Sequence, residues 1–132
     1  MKIIDIHVHY WKEMGWFAPG LRLDMATVIA NSSWPPKNPQ EVLETAMGTE
    51  EGWPLDPDGS GLIKDQKDTG IDVFVILPHD WGWAYKEEAE VSIEEINKAS
   101  CDLTKKYPGK VYSYCGVNPR RPNAVKILEK AV

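Results

Sequence analysis

His7 and His9 stand one residue apart in the run Asp5-Ile6-His7-Val8-His9. Imidazole is the commonest side-chain metal ligand. Two of them at i and i+2 of a strand project to the same side. Both rings can then reach one ion at the ~2.0–2.1 Å of a zinc–nitrogen bond. Neutral imidazole also suits nickel, iron and copper. The competing reading is a pair of hydrogen-bonded structural histidines, and an HxH pair alone is a weak signal. Its place in the chain strengthens it. The pair closes a strand-like segment, and in parallel α/β folds the active site lies at the C-terminal ends of the strands.

The remaining histidine, His79, follows the second strand-like segment at that same end. It is open to three roles: a third ligand, a substrate contact or a solvated loop residue. Substrate contact or pocket wall is favoured, because the residue sits on a loop beyond the strand. Trp81 next to it belongs with the same candidate substrate contacts. Asp80 can orient a histidine from behind, or simply form a turn. Asp5 shares the strand face of the two histidines and can anchor the strand or orient a ligand. After the third strand-like segment, Arg120 or Arg121 can pair with a substrate carboxylate. Arg120 is taken as the candidate, against the default of a solvated arginine. No GxSxG elbow, GxxxxGK[ST] loop or CxxC pair offers a competing chemistry.

These residues need elements to hold them. Residues 2–9, KIIDIHVH, alternate: Ile4, Ile6 and Val8 on one face, Asp5, His7 and His9 on the other, which predicts a strand. Residues 10–60 show no sustained period and hold six of the ten prolines. They read as a long insertion with one short helix at 39–47, on a Val42, Leu43 and Ala46 stripe. Residues 61–69 predict a helix stopped at Gly70. The unbroken apolar run IDVFVILP, 71–78, predicts a strand buried on both faces, and HDWGWAYKEEAE a loop. Ser92 and Glu95 have capping-box spacing at the head of a helix that Pro108 and Gly109 end. A third strand is expected at 110–117 and a last helix from Pro122. This order predicts βαβ units and a parallel sheet. The sequence stops within its last helix, and three parallel strands leave an open edge. The sheet is therefore expected to be completed by something else.

Composition narrows the function further. A formal charge of −5 argues against nucleic acid and against anionic membrane surfaces. No run approaches the roughly 20 apolar residues that span a bilayer, and the N-terminus does not read as a signal peptide. Cys101 and Cys115 read as buried thiols in a reducing cytoplasm. The six tryptophans all fall in predicted loops. They either wall a ligand pocket or close the surface over the core. The acidic run Glu87, Glu88, Glu90, Glu94 and Glu95 reads as a solvated loop and helix start.

With those residues in view, IDIHVHY, GIDVFVILP, KKYPGKV and YCGVNPRRP together resemble the amidohydrolase superfamily. Within it they are most similar to the amidohydrolase 2 branch, related to aminocarboxymuconate-semialdehyde decarboxylase. The resemblance covers nearly the whole chain outside residues 10–60, and the HxH is its specific motif. It implies the N-terminal part of a TIM-like (β/α)8 barrel, residues 1–132 forming one partial domain with 10–60 as an insertion or lid. It implies one divalent metal, most often zinc, held by His7 and His9. The family's other ligands and acid/base groups, two histidines and an aspartate, come from later strands beyond this sequence. A full barrel takes about 250 residues. The rest is thus expected from a companion chain or a homo-oligomer, unless a parent chain was cut or truncated. The implied activity is metal-dependent hydrolysis of a small carboxylated or cyclic molecule. Non-oxidative decarboxylation, a non-catalytic subunit of a split barrel and a metal-free binding module are the alternatives.

Overall fold

The structure, a computed structural model, describes residues 1–45 and 55–131. It is a mixed α/β fold around three parallel strands, β1 (Ile4–Val8), β2 (Val73–Ile76) and β3 (Val111–Ser113), in the order β1-β2-β3. Six helices accompany them: α1 (Pro19–Ser32), α2 (Pro39–Thr45), α3 (Ser60–Thr69), α4 (Gly82–Tyr85), α5 (Ile93–Lys106) and α6 (Ala124–Ala131). A single 3-10 turn, Met14–Trp16, precedes α1. The sheet is open among the described residues and does not close into a barrel.

The strands pair as their sequences predict, though each is shorter than its apolar run. Ile4 lies opposite Val73 and Asp5 opposite Phe74, after which the register slips before Val8 meets Ile76. Phe74 and Ile76 in turn face Val111 and Ser113. Phe74, Ile76 and Val111 form the core with Ile93, Ile96 and Leu103 of α5 and Ile127 of α6. These positions follow the predicted 3.6-residue stripe of α5. Ser92 accepts from the Glu95 backbone N–H at 3.3 Å and its own N–H reaches the Glu95 carboxylate at 3.1 Å. That closes the expected capping box. Gly70 ends α3 with φ +72°, a left-handed turn that only glycine adopts freely. The buried Gln66 of α3 donates to the Lys110 carbonyl at 2.7 Å and ties that helix to the start of β3.

The other sheet face is poorly covered. Ile4, opposite Val73, and Tyr112, opposite Val75, are about half exposed, at 52% and 50%. Ile6 and Tyr114 nearby are exposed as well.

Several expectations are corrected. Residues 10–60 contain α1, which lacks a detectable stripe. Its apolar residues lie all round the axis, and only Ala26 and Ala30 are buried, against Val42 of α2. Small residues permit that close helix contact, and they give no periodic signal. The loop expected after β2 contains α4. Trp16 and Trp83 thus sit in helical turns and Trp16 is core, while Trp34 is almost fully exposed. Cys101 is exposed on α5 and Cys115 only half-buried. Ala46 and Trp53 lie outside the described residues.

The exits of β2 and β3 are held together at Gly116. Its N–H and carbonyl are gripped by Asn97 of α5, both bonds at 2.8 Å. An added Cβ there would lie 2.2 Å from the Pro78 carbonyl oxygen, which is rigid backbone. Gly116→Ala is expected to lower stability by about 1–3 kcal/mol, the usual cost of overpacking. Urea denaturation of the two proteins measures it, and equal midpoints would refute the close approach.

Candidate functional site

β1 and β2 deliver their histidines to one place. The Leu77 N–H donates to the Val8 carbonyl at 3.0 Å, so the two strands leave the sheet side by side. His9 and His79 each follow within two residues. Their ring centroids are 4.4 Å apart, and those of His7 and His9 are 4.9 Å apart at 86°. All three histidines of the chain therefore neighbour one another. The register slip between Asp5 and Val8 lies within the motif itself.

Aromatic walls support the cluster. Trp11 stacks on His9, with centroids 5.9 Å apart and planes 18° apart, and itself contacts Phe17. Trp81 meets the His79 ring edge-on at 5.2 Å. Burial pushes the His79 imidazole down to about 4, with a further push from His9 and His7. His9 is lowered for the same reasons, burial first and then His7. Both rings are therefore neutral at pH 7, with nitrogen lone pairs free to act as donors. The buried Nδ1 of His9 has no hydrogen-bond partner. A buried polar atom left unpaired is costly and calls for an explanation. His9 and Trp11 also line a cavity of about 240 Å³ with Asp56 and Asp65.

Among the described residues, no group of three or more His, Cys, Asp and Glu side chains is arranged to hold an ion as it stands. The imidazoles are adjacent without converging. The donors suit a borderline-soft divalent ion in kind, and the unpartnered His9 nitrogen matches that use. Three imidazoles match the number a catalytic zinc takes from its protein, but they are not arranged as one ligand set among the described residues.

The other candidates divide. His79 and Trp81 join the cluster. Asp5 accepts the His7 backbone N–H at 2.9 Å, and so braces the strand end rather than an imidazole. Asp80 faces away from the histidines in its bonding. Its side chain, 4% exposed, takes Arg121 Nε at 2.6 Å and Nη2 at 2.7 Å, and accepts the Asn118 N–H at 2.7 Å. Arg121 also reaches Glu88 with both terminal nitrogens. These carboxylates hold its guanidinium above the usual arginine range. Arg121 is thus fully engaged, whereas Arg120 is exposed and lies in a separate cleft with Trp83.

The Arg121 clamp escaped the sequence reading, and Trp11 stood out there only as one of six loop tryptophans. Nothing in local pattern links Asp80 to residues 41 positions later. The acidic run is also less idle than expected: Glu88 binds Arg121 and Glu90 binds Arg22.

No family model, curated protein or solved structure matches the chain. No helix among the described residues is long and apolar enough to cross a membrane.

The clamp yields a prediction. Asp80→Ala leaves a largely buried guanidinium short of its main partner, and is expected to cost about 3 kcal/mol. Glu88→Ala removes a carboxylate that is 59% exposed and should change stability by less than about 1 kcal/mol. Chemical denaturation of both variants checks the ordering, and the reverse order would refute it.

Proposed function

We propose that this chain is the N-terminal part of a metal-dependent hydrolase of the amidohydrolase type. In this reading it acts on a small carboxylated or cyclic molecule, and the three strands are the opening part of a TIM-like barrel completed by another chain or by a homo-oligomer. His7 and His9 are the ligands it contributes to a divalent ion, zinc above all. The observation that carries the reading is the buried, unpartnered Nδ1 of His9 within a cluster of three imidazoles at the strand C-termini.

A divalent ion held by His7 and His9 would supply Lewis-acid activation of water and of a carbonyl. The chain's own residues prepare that chemistry. Asp5 fixes the backbone at His7. Trp11 and Trp81 pack against His9 and His79 and limit the approach of bulk water. Depressed proton affinity keeps His9 and His79 from competing for a proton with the ion at neutral pH. His79 faces the cluster from β2 as a substrate contact.

The test is zinc binding to the full chain followed by elemental analysis. His7→Ala and His9→Ala are each expected to weaken zinc binding by at least about tenfold, since even indirect supports of metal ligands are worth 10–100-fold. His79→Ala should do less. Equal metal content in the wild type, His7→Ala and His9→Ala would overturn the reading.

A further inference from the structure

A second site lies away from the histidines. Gly82, Trp83, Ala84, Lys86, Glu88 and Arg120 line a half-open cleft of about 510 Å³. That volume lies within the range of small-molecule pockets. We propose that this cleft binds a small aromatic carboxylate, held by Arg120 and Lys86 and stacked on Trp83.

The charge balance selects the anion. Glu88 is the only acid in the lining, and both its oxygens are taken by Arg121, at 2.8 and 2.6 Å. Arg121 also pairs with Asp80 behind it, so this one cation is shared between two carboxylates. The Arg120 guanidinium and the Lys86 ammonium have no side-chain partner among the described residues. Arg120 and Lys86 thus outnumber the one negative charge left on the Asp80–Arg121–Glu88 group, and the cleft keeps a surplus positive charge. Arginine adds a planar fork that matches a carboxylate.

The walls select the rest of the ligand. Trp83 keeps 39% of its surface exposed, and Gly82 and Ala84 beside it offer only small groups. A planar ring can lie on the indole face while its carboxylate reaches the cations. Lys86 is placed by its backbone, which adopts φ +54° at the end of α4. Gly82 keeps the cleft's floor open, since a Cβ there would meet Glu88 Oε2 at 2.5 Å and displace it from its arginine.

The assignment draws on this cleft alone and stands without the metal reading. Calorimetric titration of the metal-free full chain with 2-naphthoate tests it, with neutral 2-naphthamide as the control. Naphthoate is expected to bind at least tenfold more tightly than the amide, and more weakly as salt rises. Arg120→Ala, Trp83→Ala and Lys86→Asn should each weaken it several-fold or more, asparagine being chosen because it tolerates positive φ. Lys98→Ala should leave it unchanged. Arg120→Lys, which keeps the charge and loses the fork, should fall between wild type and Arg120→Ala. Circular dichroism confirms that each variant is folded. No naphthoate binding, equal binding of the amide, or unchanged affinity in the folded Arg120 and Lys86 variants would overturn the proposal.

Discussion

The carboxylate of Asp80 organises the end of the molecule where β2 and β3 leave the sheet. It is almost entirely removed from water, and it receives two bonds from one guanidinium and a third from the backbone at Asn118. A buried charge is tolerated only when its partners are this complete. The clamp joins the segment leaving β2 to the segment leaving β3. His79 and Trp81 project on either side of Asp80 in sequence, and Arg120 adjoins Arg121. The histidine cluster and the cationic cleft therefore share one fixed support, whose geometry is bidentate and hence directional.

The sheet beneath is arranged to feed that support. α5 contributes Ile93, Ile96 and Leu103 to the core and, from the same face, Asn97 to the backbone of Gly116. Hydrophobic burial sets where the helix lies, and the amide pair sets where β3 ends. At the other edge, the Val8–Leu77 bond places His9 against His79. The aromatic rings of Trp11 and Trp81 then supply apolar surroundings, which is why both imidazoles lose proton affinity.

Local pattern in the sequence was enough to place the three strands, the α5 capping box, the Gly70 stop and the grouping of His7 and His9. Each of those rests on short-range rules: period two, period 3.6, a cap or a left-handed turn. α1 was missed because its two buried positions are alanines, and its larger apolar residues follow no face. The Asp80–Arg121 pairing was misjudged for a different reason. Either charge looks like a solvated loop residue until the fold brings them together, so Asp80 was assigned to a histidine and Arg121 considered for a substrate.

The half-bare sheet has a colloidal consequence. Parallel sheets are ordinarily sheathed on both sides, yet Ile4, Ile6, Tyr112 and Tyr114 remain wet. β1 and β3 are also the outermost strands of the described sheet, and unpaired strand margins template the addition of further strands. Mutual repulsion from the net negative charge of five opposes such stacking, and its reach shrinks to about 8 Å at physiological ionic strength. Raising salt therefore weakens the charge repulsion that guards the exposed margins of the sheet.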